Sequence, residues 1–124
     1  MSSQTNSPES LGTQDTDSTS CGSVRHSLAE RDVAADVQTL TTLGNATRYE
    51  ALRLIAASDD DVCVWELEPE LAVSQDAVSQ ALSRLFSSGL VERRKEGRWR
   101  YYTTTQVADH LLATLDDVRS IDRD

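Results

Sequence analysis

The sequence has few of the residues on which catalytic, metal-bound and disulfide-rich proteins depend. Its 124 residues include two histidines, two cysteines and one lysine. The cysteines, Cys21 and Cys63, are too few for a disulfide framework and are expected to be reduced thiols. The histidines, His26 and His110, belong to no Ser/His/Asp set, and the sequence has no glycine-rich phosphate loop and no cluster of metal ligands. We therefore expect that the protein is not an enzyme.

Long apolar stretches are also missing. No run of about 18 apolar residues occurs, so no membrane span is expected. The N-terminus lacks a basic region followed by an apolar stretch, so no secretory signal is expected. These two features predict a cytoplasmic protein.

Basic residues are outnumbered by acidic ones. There are 21 Asp and Glu residues against 12 Lys and Arg, and Lys95 is the only lysine, for a formal net charge of -9. This composition is typical of a halophilic protein, since salt screens self-repulsion and a high charge density keeps the surface hydrated. Chance in a short chain is the alternative. In high salt, counterion release contributes little to DNA affinity. Base contacts, shape complementarity and dimerisation would therefore have to contribute more of that affinity.

The basic residues that do occur are concentrated in one segment. Residues 84–102 carry six basic and two acidic residues. A basic patch on an acidic body can still attract phosphate. The negative net charge therefore does not exclude DNA as a partner.

The N-terminal segment differs in composition from the rest. Residues 1–23 contain eleven Ser or Thr and a single leucine. Such a segment cannot bury enough apolar area to offset the entropy of ordering. We predict a disordered tail over residues 1–26 and one folded domain over residues 27–124.

The apolar pattern of the second segment predicts a mostly α-helical fold with a β-hairpin (α+β). Val33, Val37 and Leu40 recur at helical spacing in the first helix. Because proline is tolerated only in the first turn, Pro69 places the start of a short third helix near Glu66. A glycine at position 97 supplies the positive φ of a hairpin turn over 95–97. The predicted helices begin near residue 27, span 46–57, 66–71 and 75–88, and begin near 106, with strands over 90–94 and 98–103.

The third and fourth helices form a helix-turn-helix pattern, and the hairpin behind them makes a winged helix-turn-helix. The fourth helix has one apolar face and one small-polar face. Glutamine can pair with adenine, and serine can reach a base or a phosphate. An ordinary solvated helix face is the alternative, but the basic hairpin that follows suits contact with phosphates. We predict major-groove contacts by Gln75, Ser79, Gln80 and Ser83, phosphate contacts by Ser74 and Arg84, and wing contacts by Arg94, Lys95, Arg98 and Arg100.

The hairpin also carries three aromatic residues. Trp99, Tyr101 and Tyr102 alternate with or follow its arginines. One interpretation of such a pattern is that the aromatic side chains stack on bases, and the other is that they anchor the hairpin to the core. We expect these side chains to anchor the hairpin.

Five stretches, in order and with consistent spacing, resemble the ArsR/SmtB family. They are LGNATR at 43–48, VCVWEL at 62–67, VSQDAVS at 73–79, GLV at 89–91 and EGRWRYY at 96–102. The resemblance covers roughly residues 33–118. It implies a homodimeric repressor that releases its operator when an inducer binds, with the first and last helices at the dimer interface.

The sequence departs from the metal sites that the resemblance implies. The family's arsenic- and antimony-type site uses a Cys-x-Cys pair, but here Cys63 is followed two residues later by Trp65. The family's site on the last helix needs an Asp-x-His pair, and Asp109 and His110 are adjacent instead. Some family members pair an N-terminal cysteine of one subunit with a cysteine of the other, which leaves Cys21 with Cys63 as a site for As(III), Sb(III) or another thiophilic ion. The helix dipole would favour the Cys63 thiolate. The alternative is that Cys63 is a small buried residue and Cys21 has no role.

The sequence thus predicts a sequence-specific transcriptional regulator of double-stranded DNA. A repressor released by a thiol-binding metalloid and a regulator without any metal switch both remain open. The alternative from another functional class is a winged-helix protein-interaction module that binds other proteins through its acidic surface. Salt-dependent binding to a duplex distinguishes these classes.

Overall fold

The computed structural model describes residues 24–123, so most of the predicted tail over 1–26 lies outside the described residues. The residues from Arg31 onward form one compact unit. The elements are α1 (Glu30–Leu43), α2 (Ala46–Ala57), β1 (Val62–Cys63), α3 (Val64–Leu71), α4 (Gln75–Ser87), β2 (Val91–Glu96), β3 (Trp99–Thr104) and α5 (Gln106–Arg123). Their order confirms the predicted mostly α fold with a β-hairpin. None of the described helices is long and apolar enough to cross a membrane.

Local capping interactions define the ends of the two long inner helices. The Asn45 side chain accepts a hydrogen bond from the Arg48 N–H at 3.0 Å at the start of α2. The Ser74 hydroxyl accepts one from the Ala77 N–H at 3.1 Å at the start of α4. At the end of α4, Gly89 has a φ of +75°, and the N–H groups of Gly89 and Leu90 donate back into the last turn. This pattern closes α4 where the sequence predicted.

The third helix begins earlier than the sequence predicted. It starts at Val64 instead of near Glu66, and Pro69 lies in its second turn. The cause is a cap: the Glu66 carboxylate accepts a hydrogen bond from the Cys63 N–H at 2.8 Å, which fixes Cys63 as the residue before the helix. In so short a helix, Pro69 removes only the donor that the Trp65 carbonyl would otherwise have.

The hairpin turn is also tighter than predicted. Strand β2 continues to Glu96, which pairs with Trp99, so the turn consists of Gly97 and Arg98 rather than residues 95–97. Gly97 has a φ of +64°, which a two-residue hairpin turn requires and glycine adopts without strain. The short strand β1 pairs with β3 and completes a sheet in the order β1-β3-β2.

The core lies between α2, α3, α4 and the base of the hairpin. Its largest fully buried side chains are Leu52, Leu82, Leu85, Leu90, Val78 and Val91. Burial of each leucine contributes roughly 1.5–3 kcal/mol relative to exposure. Helix α4 and the hairpin are therefore held by one apolar cluster.

Of the three aromatic residues predicted to anchor the hairpin, one is buried. Tyr102 is 4% exposed, but Trp99 is 50% exposed and Tyr101 is half-buried. The prediction was wrong for Trp99, because the hairpin extends beyond the core before it reaches that residue.

Helices α1 and α5 each contact the core at one end only. The side chains from Arg31 to Thr41 are exposed except for a half-buried Thr39. In α5, Ala108 and Leu112 are buried, and the side chains from 113 to 121 are exposed. Apolar side chains left at least a third exposed are Val33, Val37 and Leu40 on α1, and Val107, Leu115, Val118 and Ile121 on α5.

One ion pair ties the outer half of α5 to α2. Arg53 Nη2 lies 3.0 Å from Asp116 Oδ1, and Arg53 Nε donates to the Tyr49 hydroxyl at 2.8 Å. Asp116 also pairs with Arg119. The hydrogen bond from Arg53, more than the one from Arg119, holds the pKa of Asp116 below its ordinary value.

Candidate nucleic-acid interface

Helix α4 has the two faces that its sequence predicts. Val78, Ala81, Leu82 and Leu85 are buried against the core. The predicted base- and phosphate-contacting residues of the opposite face are exposed: Gln75, Ser79, Gln80, Ser83 and Arg84. Phe86 near the end of α4 is 40% exposed, and the Arg93 guanidinium lies 4.1 Å from the centre of its ring.

A groove separates the first half of α4 from the wing. It has a volume of about 490 Å³, and we call it the wing groove. Gln75 and Ser79 of α4 line it together with three cationic residues of the hairpin. Its lining consists of Cys63, Val64, Trp65, Gln75, Ser79, Lys95, Arg98, Trp99 and Arg100. The structure thus brings five of the predicted contact residues to one concave surface.

The polar face continues beyond the wing groove. Ser79, Gln80, Ser83 and Arg84 line a second depression, so Ser79 belongs to both. Gln80 and Arg84 also lie beside the start of α2. The four residues predicted to read bases therefore form one continuous strip along α4.

Ser74 already has a local role. Its hydroxyl accepts the hydrogen bond that caps α4, and the residue is exposed at the end of the strip. A hydroxyl that accepts one bond can still donate another to a phosphate.

The two faces of the hairpin carry different charges. Successive strand residues point to opposite faces, so Arg94 and Lys95 lie on opposite sides of β2. The partner of Lys95 in the sheet is Arg100, and the partner of Arg94 is Tyr101. Among the described residues, no carboxylate lines the wing groove, whereas Asp61 and Glu92 line a depression on the other side together with Arg94.

Arg94 is engaged in ion pairs on that outer side. Its guanidinium lies 2.9 Å from Asp61 Oδ2 and 3.2 Å from Glu96 Oε1, and 4.9 Å from the centre of the Tyr101 ring. Hydrogen bonds to Asp61 first and Glu96 second raise the pKa of Arg94 above its ordinary value. The structure does not bring Arg94 together with the other predicted wing contacts.

Sequence reasoning missed two residues of the wing groove. Trp65 is 58% exposed and Trp99 is 50% exposed, and both line it. For Trp99, the alternation of aromatic and basic residues is a sequence signal of a binding surface, but core anchoring is the interpretation favoured from the sequence there. Large aromatic side chains left half-exposed beside cations are typical of binding surfaces.

The described residues do not supply a complete thiolate site. Cys63 is a free cysteine, 2% exposed, at the residue preceding α3. Cys21 lies outside the described residues, so its pairing with Cys63 stays a prediction. Within the described part of the chain, no three His, Cys, Asp or Glu side chains are close enough to hold a metal ion. One buried thiol does not fit a metalloid chelate by itself.

The fold and the groove define a class of protein. A helix-turn-helix with an exposed polar second helix, followed by a hairpin with three cations in a groove beside that helix, is a winged helix-turn-helix DNA-binding domain.

Comparisons with known proteins identify the family. No protein-family model matches the chain. An arsenical resistance operon repressor named ArsR2, from Halobacterium salinarum, is 61% identical over 87 residues, which are 70% of this chain and 73% of that protein. The structure of HlyU from Vibrio cholerae is similar with a TM-score of 0.63 and 31% identity, over 73% of this chain and 97% of HlyU. A homodimeric winged helix-turn-helix DNA-binding domain from Mycobacterium bovis gives a TM-score of 0.64 and 26% identity, over 75% of this chain and 88% of that domain.

The chain belongs to the ArsR family of winged helix-turn-helix transcriptional regulators. This confirms the resemblance, the fold class and the function class that the sequence predicted, and it places the chain in a non-enzymatic class. A relative from Halobacterium also agrees with the halophile-type composition.

Proposed function

We propose that the protein is a cytoplasmic repressor that binds its operator as a homodimer, with α4 in the major groove and the wing on the flanking phosphates. The observation that carries this proposal is the wing groove. Gln75 and Ser79 share it with Lys95, Arg98 and Arg100, and no carboxylate of residues 24–123 lines it. Polar side chains that read base edges therefore lie beside cations that contact phosphate.

The proposal assigns different tasks to the residues of this surface. Gln75, Ser79, Gln80 and Ser83 contact base edges, because they form the exposed strip of α4. Ser74 and Arg84 contact phosphates at either end of the strip. Lys95, Arg98 and Arg100 contact phosphates beside the groove, and Arg94 instead braces β2 against Asp61.

The proposed dimer interface consists of the apolar faces of α1 and α5. Seven apolar side chains of these two helices are at least a third exposed, including Leu40 at 69% and Ile121 at 73%. Exposed apolar faces on two helices that contact the core at one end only are typical of a subunit interface. A structurally similar domain from Mycobacterium bovis is homodimeric, which supports the same assembly here.

Removing one cation from each face of the hairpin tests the DNA surface. We expect Lys95→Ala to weaken binding to every DNA sequence alike and to lower the slope of log affinity against log salt by about 0.9, because one phosphate contact is lost. Arg94→Ala is the matched control and should leave that slope unchanged. The measurement is fluorescence anisotropy with the protein's own upstream DNA across a salt series.

Two outcomes would contradict the assignment. Equal slopes for Lys95→Ala and the parent protein would mean that the wing groove does not face DNA. No specific binding by the parent at any salt concentration would favour the protein-interaction module instead. In that case the acidic surface, and not the groove, would be the binding surface.

We further propose that a thiophilic ion such as arsenite is the inducer and that Cys21 and Cys63 bind it. The name of the relative from Halobacterium supports an arsenic response, and Cys63 is a free thiol at the residue directly before α3. Arsenite should release the parent protein from its operator but not the variant Cys63→Ser, with Cys21→Ser tested beside it. Release that persists in both variants would exclude this site, and no release of the parent would leave a regulator without a metal switch.

A further inference from the structure

Helix α1 is joined to the rest of the domain at its last turn. Among the described side chains, Thr42 is the only buried polar residue, with 5% exposure, and the neighbouring Leu43 packs against the core. The side chains from Arg31 to Gln38 are all exposed. The direction in which α1 leaves the domain therefore depends on the contacts of its last turn.

The buried hydroxyl of Thr42 contacts the end of the recognition helix. Thr42 Oγ1 lies 2.6 Å from Oγ of Ser88, which is the residue that follows α4. These two residues are 46 positions apart in the sequence. Because a buried hydroxyl without a partner is costly, this hydrogen bond favours one orientation of α1 relative to α4.

Arg48 reinforces the same contact from α2. Its Nε donates to the Thr42 carbonyl at 2.7 Å, and its Nη2 donates to the Thr41 carbonyl at 3.2 Å. The last carbonyls of a helix have no partner within the helix, and a cation near them is favoured by the helix dipole. The guanidinium thus holds the last turn of α1 in place.

Helix α5 begins at the same place. The Thr105 hydroxyl, which precedes α5, donates to the Gly89 carbonyl at 2.8 Å, and the Thr105 N–H donates to the Leu90 carbonyl at 3.1 Å. Both helices of the proposed dimer interface therefore attach to the chain directly after the recognition helix, at residues 88–90.

We propose that the Thr42–Ser88 hydrogen bond is a positioning element that sets the distance between the two recognition helices of the dimer, and hence the half-site spacing of the operator. The inference rests on the proposed dimer through α1 and α5 and on α4 as the reading helix. In helix-turn-helix dimers the half-site spacing mirrors the separation of the recognition helices. A change of angle at the Thr42–Ser88 contact alters that separation without touching any DNA-contacting side chain.

The experiment compares operators that differ only in spacing. The parent protein is expected to bind the native spacing about tenfold more tightly than duplexes with one base pair inserted or removed at the centre, which corresponds to about 1.4 kcal/mol. Thr42→Val and Ser88→Ala should lose most of this preference and bind the native operator about tenfold more weakly, because one hydrogen bond at a part-buried contact is lost. Anisotropy with the three duplexes measures both effects.

Two control variants and two further measurements separate a positioning role from a merely structural one. Thr42→Ser keeps the hydroxyl and, unlike Thr42→Val, should retain the spacing preference of the parent protein. Ser87→Ala removes an exposed hydroxyl from the adjacent residue and should behave like the parent. Sedimentation should show that all variants remain dimeric, and thermal unfolding should show that they remain folded.

The outcomes distinguish this inference from the proposed function. If the parent binds specifically as a dimer and Thr42→Val keeps the same spacing preference, the positioning role is wrong and the proposed function stands. If the parent is monomeric or does not bind DNA, the proposed function fails first. If Thr42→Ser loses the spacing preference as Thr42→Val does, the hydroxyl is not responsible and the positioning role is also wrong.

Discussion

The two faces of the wing hairpin both carry basic residues but differ in the acidic residues around them. On the groove side, Lys95 and Arg100 face α4, and none of the described carboxylates lines the wing groove. On the outer side, Arg94 is paired with Asp61 and Glu96. The comparison shows that the number of basic residues in a hairpin does not give the number of cations available to DNA. The alternation of strand residues and the position of nearby acids decide it.

The same comparison applies to the aromatic residues. Tyr102 faces the core and is 4% exposed, while Trp99 lies near the tip of the hairpin and is 50% exposed. One aromatic side chain stabilises the fold, and the other is left at the edge of the wing groove. Position along the hairpin therefore separates a structural aromatic residue from a candidate contact.

The largest expected effect comes from removing each aromatic side chain in turn. Tyr102→Ala should reduce the free energy of unfolding by about 3–5 kcal/mol, because it leaves a cavity beside the core. Trp99→Ala should change that free energy by less than about 1 kcal/mol and weaken DNA binding instead. Chemical denaturation of both variants measures the free energy of unfolding. Comparable losses of stability would remove the distinction between the two positions.

A smaller effect is expected from the outer face. Asp61→Asn removes the charge that pairs with Arg94 and should shift the unfolding midpoint only slightly, because exposed ion pairs contribute little. The salt slope of DNA binding should stay that of the parent, since Arg94 lies away from the wing groove. Anisotropy across a salt series tests this. A steeper slope would show that Arg94 reaches phosphate once Asp61 releases it.

Helix α4 was predictable because its signals are local. The period of the apolar residues identified α4, and the Ser74 cap and the positive φ of Gly89 lie at its two ends. The exposed polar strip followed from the same periodicity. None of these features depends on a distant part of the chain.

The sequence predictions differ from the structure where two local rules compete, and they miss contacts between residues that are distant in the sequence. Pro69 argued for a late start of α3, but the hydrogen bond between Glu66 and Cys63 outweighs it. A glycine at position 97 suits both a two- and a three-residue turn, and the pairing of β2 with β3 selects the shorter one. The contact between Thr42 and Ser88 joins residues 46 positions apart and has no periodic signal.

The proposed dimer through the exposed outer halves of α1 and α5 would link the protein's folding to its concentration. A helix of 14 residues with few contacts to the core is only marginally stable in water by itself, so association would stabilise α1. If the dimer buries these apolar faces, mass action makes the melting temperature rise with protein concentration. Dilution would then loosen the two outer helices before the core. Each operator that captures a dimer would also stabilise its helices, so the copy number of the regulator and the number of its binding sites would together set how much of it is fully folded.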